Sequence, residues 1–160
     1  VCVDVVVTEA AVKLLSATYR GAQPWEQLTA LAAQYAPAGD GASDDTVCGD
    51  RPTLRVYRDS DEWAAYGEVG TDPVLHVELA KRNSLLLIAP LCANTLASCA
   101  VGLCGSLLLS VVRAWYYDLD DDFAQPISAT EGALAARKPF AVAPAMNTVM
   151  WHQRVTTEHL

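Results

Sequence analysis

Three stretches of this 160-residue chain carry side chains that packing alone does not ask for: VLHVEL at 74–79, APLCANTL at 89–96 and APAMNTVMW at 143–151. His76 brings an imidazole, which titrates near neutrality and so suits an acid, a base or the electrostatic partner of a carboxylate. Asn94 and Asn147 bring amides that donate and accept, and Thr95 places a hydroxyl at a helix start. Backbone N–H groups at such a start can also point at an anion. A plainer role is open to each. His76 can be a core histidine satisfied by its neighbours, Asn94 and Thr95 can cap a helix, and Pro144 and Asn147 can shape a turn.

The elements that hold these residues follow from periodicity. Residues 1–7 (VCVDVVV) suit a strand buried on both faces. Thr8 stands at an N-cap position before a helix over 9–20 that Gly21 ends, and Pro24 opens a second helix closed by Pro37. Residues 37–53 read as a solvated loop or insertion, 54–58 as a strand, and Asp59 or Ser60 as the cap of a short helical piece with Trp63. Asp72-Pro73 opens a helix over 73–82 that carries His76 and Leu79 on one side. A buried strand at 85–89 runs into the Pro90–Asn94 loop. A helix from Thr95 to about Trp115 follows, with Gly102 and Gly105 as break points. A second insertion covers about 117–138, with the acidic run Asp118 to Asp122. A last strand at 140–143 runs into the Pro144–Asn147 turn, and a further helical pattern begins at Thr156.

Strands alternating with helices imply an α/β fold with a parallel sheet flanked by helices, in one domain over 1–160. Two of the chemistry-bearing loops then follow strands and lie at strand C-terminal ends, the edge where open α/β sheets bind ligands. Both ends of the chain look cut, because it starts inside a strand and stops as a helix begins.

Composition excludes several classes of function. With 11 Lys and Arg against 19 Asp and Glu, the formal charge is −8, so a basic face for nucleic acid is disfavoured. Residues 83–112 contain no charged side chain, long enough to span a bilayer. Pro90, Asn94, Gly102 and Gly105 interrupt the run, however, and a strand, a loop and a core helix explain it better. The cysteines at 2, 48, 92, 99 and 104 are odd in number and scattered. They suit buried apolar positions in a reducing compartment, with no disulfide framework. No C-x-x-C pair or nearby His marks a metal site. Walker, dinucleotide and G-x-S-x-G motifs are absent.

Taken together, PVLHVELAKRNSLLLIAPLCANTLASCAVGLC, VVRAW, KPFAVAPAMNTVMW and TTEHL closely resemble the flavin-dependent cysteine decarboxylases, the family of phosphopantothenoylcysteine decarboxylases and Hal3-type proteins. The resemblance is continuous over 73–115 and 138–160 and weaker over 1–20 and 54–70. It implies a three-layer Rossmann-like or flavodoxin-like domain. The implied reaction is FMN-dependent decarboxylation of 4′-phosphopantothenoylcysteine to 4′-phosphopantetheine in coenzyme A biosynthesis, with FMN taking and returning the electrons.

By motif, His76 matches the active-site histidine near the substrate carboxylate. Asn147 matches the asparagine that binds that carboxylate, and Met150 the methionine of the same clamp. Cys92, Ala93, Asn94 and Thr95 match the loop that holds FMN, Ala145 matches a position contacting flavin and substrate, and Thr8 matches the region near the flavin phosphate. No metal is implied. Relatives read GLCDNLL where this chain has Gly105 and Ser106. The family's first strand with its phosphate turn is expected before Val1, and its flap cysteine after Leu160. The resemblance further implies a cytoplasmic homotrimer, or a heterotrimer with a paralogue, acting on a small-molecule substrate without nucleic acid or membrane. The alternative it leaves is a Hal3-like regulatory subunit that binds a protein phosphatase, with catalysis lost or shared between chains.

Overall fold

The computed structural model describes residues 1–37, 51–117 and 138–160. The insertions expected at 37–53 and 117–138, with the Asp118–Asp122 run, therefore lie largely outside the described residues. The chain divides into two compact units, Val1–Leu75 and His76–Leu160.

In the first unit, β1 (Cys2–Val7) pairs in parallel with β2 (Thr53–Arg58), Val5 beside Val56. Asp4 and Arg55 are register partners and form a buried ion pair, Arg55 Nη1 to Asp4 Oδ1 at 3.7 Å. That pairing is what lets a carboxylate sit within a strand of valines. α1 (Glu9–Leu15) begins where Thr8 Oγ1 accepts from the Ala11 N–H at 3.3 Å. It stops five residues before the expected end at 20, because the chain turns back on itself. Tyr19 and Ala22 exchange backbone hydrogen bonds of 2.8 and 3.1 Å around Arg20 (φ 50°) and Gly21 (φ 82°), the paired positive φ values of a tight hairpin turn. α2 (Pro24–Gln34) starts with Pro at its first turn and packs on β2.

Asp72 does not cap the next helix. Its Oδ2 accepts from the backbone N–H groups of Gly67 and Glu68, each at 2.7 Å. These two bonds, Glu68's first, hold its carboxyl below the usual range. The residue before a proline avoids helical geometry, so the helix waits until Leu75.

In the second unit, α3 (Leu75–Arg82) leads to β3 (Leu86–Leu91), which pairs in parallel with β4 (Phe140–Pro144). The register runs from Leu86 beside Phe140 to Leu91 beside Pro144, with an irregularity between Ile88 and Leu91, where the Ala89–Pro90 peptide is cis. Leu86, Ile88, Leu91 and Phe140 join Leu96, Cys99, Leu108, Val112 and Met146 in one core. Burying a side chain of this size contributes about 1.5–3 kcal/mol.

Neither β1 nor β3 is buried on both faces, as the sequence had suggested. Val3, Leu85 and Leu87 are exposed. Alternate side chains leave a strand on opposite faces, and among the described residues it is the Leu86–Ile88 face that meets the core.

The single helix expected from Thr95 to Trp115 is two helices, α4 (Ala93–Ala100) and α5 (Leu107–Ala114). Gly102, at φ 72°, ends α4. Its N–H reaches the Cys99 carbonyl at 3.0 Å and the Leu103 N–H reaches Ser98 at 2.9 Å, the paired bonds of a Schellman stop. Ser106 then starts α5, its Oγ accepting from the Leu109 N–H at 3.3 Å. The Gly105-Ser106 departure thus serves a helix start. Two short helices, α6 (Thr148–Trp151) and α7 (Arg154–His159), follow the Pro144 turn, both beginning before the expected Thr156. Among the described residues no helix is long and apolar enough to cross a membrane.

The cysteines correct another expectation. Cys92 and Cys104 are exposed and Cys99 is half-buried, because all three sit at or beside the ends of α4 rather than on its core face alone. Cys2 is disulfide-bonded; Cys48 lies outside the described residues.

Candidate active site

Because β3 and β4 are parallel and adjacent, the loops leaving them emerge at the same sheet edge. The Ala145 N–H donates to the Leu91 carbonyl at 2.9 Å, so the two loops are joined where each strand ends. This brings Cys92, Ala93, Asn94 and Thr95 to the same rim as Ala145, Asn147 and Met150.

On the first loop, Cys92 is the N-cap of α4. Its Sγ accepts from the Thr95 N–H at 3.5 Å and lies 3.3 Å from Thr95 Oγ1. Desolvation, the largest single influence, raises the thiol's pKa. Donors at the Thr95 hydroxyl and at the N–H groups of Thr95, Asn94 and Cys92 itself together outweigh it and leave the thiol below its ordinary value. Asn94 is exposed, and its carbonyl accepts from Ser98 Oγ at 2.9 Å. Ala93 and Ala145 bring only single methyl groups to the rim. Cys99, further along α4, shows the opposite behaviour: burial pushes its thiol up.

On the second loop, Asn147 caps α6, its Oδ1 accepting from the Val149 N–H at 2.8 Å. With the oxygen engaged, the side-chain NH₂ is the end that can donate to a carboxylate. Met150 is exposed on α6, and its carbonyl accepts from the buried Thr156 hydroxyl at 2.6 Å, which ties α7 to α6. Of the cap roles considered, that of Asn147 is thus real, whereas α4 is capped by Cys92, with Asn94 and Thr95 inside its first turn.

His76 is half-buried in the first turn of α3. The far end of that helix is held by Lys138, whose Nζ donates to the carbonyls of Ala80, Lys81 and Asn83 at 2.7, 2.7 and 2.8 Å. Nothing in the sequence singled out Lys138. A lone lysine before an apolar strand looks like a solvated end, and only the tertiary fold supplies three carbonyls to it. Thr8 belongs to the first unit, where it caps α1. Among the described residues no group of three or more His, Cys, Asp or Glu side chains gathers to hold a metal ion.

Two curated plant proteins are similar to this chain. A probable phosphopantothenoylcysteine decarboxylase of Arabidopsis thaliana is 44% identical over 115 residues, covering 69% of this chain and 47% of that protein. The phosphopantothenoylcysteine decarboxylase of Oryza sativa subsp. japonica is 45% identical over 105 residues, covering 66% and 39%. The chain therefore spans less than half the length of these relatives. Among solved structures, a PPC decarboxylase variant complexed with pantothenoylaminoethenethiol aligns with a TM-score of 0.57 at 33% identity, over 98% of this chain and 58% of that one. The FMN binding protein AtHal3 aligns with the same TM-score and identity, over 98% and 57%. These neighbours carry the Rossmann-like α/β flavoprotein fold, in agreement with parallel strands flanked by helices. The family described as Flavoprotein matches residues 1–160 throughout, and this chain belongs to it.

Proposed function

We propose that the chain forms the flavin- and substrate-binding part of an FMN-dependent decarboxylase acting on 4′-phosphopantothenoylcysteine. The observation that carries this reading is the Ala145–Leu91 hydrogen bond across the β3–β4 register. It sets an amide clamp beside a helix start lined with small residues, at the edge where α/β sheets take ligands. The relatives' names supply the substrate.

The donor set fits a flavin. Ala93 and Ala145 put small side chains where the ring would lie, and Asn94 and Thr95 offer polar contacts to its edge. Bound FMN would supply the two-electron chemistry that makes loss of carbon dioxide feasible. This chain's own part is to orient and exclude. The Asn147 NH₂ binds the substrate carboxylate, Met150 covers it with an apolar side chain, and His76 faces it as the electrostatic partner. In this reading the assembly is a trimer with the site at a subunit boundary, homomeric or shared with a paralogue, in the cytoplasm. The free thiols Cys92, Cys99 and Cys104 favour that compartment, while the disulfide at Cys2 weighs against it.

The second reading is a Hal3-like regulatory subunit with lost or shared catalysis. It draws on the structural likeness to AtHal3 and to a HAL3 from Cryptococcus neoformans, the latter at 29% identity and a TM-score of 0.58. Carbon dioxide release from 4′-phosphopantothenoylcysteine by the purified full-length protein separates the two. Turnover supports the enzyme, and a bound flavin without turnover supports the regulator.

A further inference from the structure

Lys138 sits just before β4, where four elements come to their ends. Its Nζ spends three donors on the carbonyls of Ala80, Lys81 and Asn83, the groups that a helix C-terminus leaves without intrahelical partners. The same ammonium lies 5.2 Å from the centre of the Trp115 ring and 5.3 Å from that of Tyr116. Its backbone N–H donates to the Tyr116 carbonyl at 2.6 Å. The next residue continues the junction, because the Pro139 carbonyl accepts from the Leu86 N–H at 3.1 Å and from Trp115 Nε1 at 3.2 Å. Lys138 thus fastens the end of α3 to the segment that follows α5, and its neighbour Pro139 carries the junction on to the first residue of β3. A half-buried ammonium, whose pKa burial lowers, is kept charged here by three carbonyl dipoles, the negative end of α3 and two ring faces.

Lys138 cannot act on a ligand at the rim. From it to Pro144 is about 20 Å of extended chain. His76, by contrast, lies on the helix that Lys138 anchors, about 9 Å of helical rise from Arg82. We propose that Lys138 is a positioning residue: by pinning the C-terminal carbonyls of α3 to the start of β4, it fixes where α3 presents His76 relative to the strand that carries the Asn147 turn. The proposal rests on the reading of His76 as the active-site imidazole.

The test is Lys138→Met in the full-length, flavin-loaded protein, with Lys138→Arg as the conservative variant and Lys138→Gln in place of Met if the latter fails to fold. The Met variant keeps its bound flavin, and kcat falls about 10- to 100-fold, the range a misplaced catalytic group produces. KM changes less than threefold, and Arg recovers most of the rate. In proton NMR the His76 imidazole signal, identified by its loss in His76→Asn, shifts in the Met variant and returns toward its wild-type position in the Arg variant. A folded Met variant with wild-type kcat and an unmoved His76 signal overturns the proposal. If the wild-type protein releases no carbon dioxide, the functional reading fails by itself, and the NMR comparison still decides the positioning role.

Discussion

The backbone N–H of Ala145 donates to the carbonyl of Leu91 at 2.9 Å, one hydrogen bond past the last register pair of two parallel strands. Through it a loop rich in small and polar residues and a turn ending in an asparagine share one rim. Neither loop alone specifies a ligand. Joined, they set small side chains beside an amide donor.

Asn147→Asp tests the clamp. The new carboxylate can still accept from the Val149 N–H, so α6 keeps its cap. It loses the NH₂ donor, however, and sets like charge against the substrate carboxylate. A penalty of about 1–2 kcal/mol corresponds to a rise in KM of roughly tenfold, read in steady-state kinetics with flavin content unchanged. Wild-type KM would remove Asn147 from the clamp.

Cys92 and Cys99 make a pH prediction. Hydrogen bonds hold the Cys92 thiol below its ordinary pKa and burial raises that of Cys99. As pH rises, thiolate forms first at Cys92, so its alkylation begins at lower pH. Iodoacetamide labelling read peptide by peptide in a mass spectrometer shows the order, and bound FMN slows the reaction at Cys92. Labelling of Cys99 before Cys92 would refute the assigned environments.

Gly102→Ala tests the helix stop. At φ 72° a side chain is strained, while the new Cβ would make only an ordinary contact with the Arg113 guanidinium, Nη1 at 3.6 Å. A loss of about 1–2 kcal/mol is expected, seen as a lower midpoint of urea unfolding. An unchanged midpoint means the Schellman stop contributes nothing.

Much of this arrangement was legible in the sequence. Apolar runs ending in Pro-Leu-Cys-Ala-Asn and Pro-Ala-Met-Asn located both loops, and parallel pairing followed from the alternation of elements. Helix ends were harder to read. Asp72 looked like a cap, but its carboxylate closes the turn at Gly67 and Glu68. The apolar run from Thr95 to Trp115 hid two helices, because the bonds that end α4 are made by backbone groups at Gly102 and Leu103. Exposure of Leu85 and Leu87 was hidden too, since burial of a strand face depends on what covers it. The role of Lys138 depends on carbonyls more than fifty residues away, which no local pattern reveals.

The most direct measurement is the visible absorption spectrum of the purified full-length protein before and after added FMN, beside that of His76→Asn. Protein-bound flavin bands in both, with carbon dioxide released from 4′-phosphopantothenoylcysteine by the wild type alone, are the predicted result. A colourless wild-type protein that takes up no FMN would contradict the assignment of this rim as a flavin site.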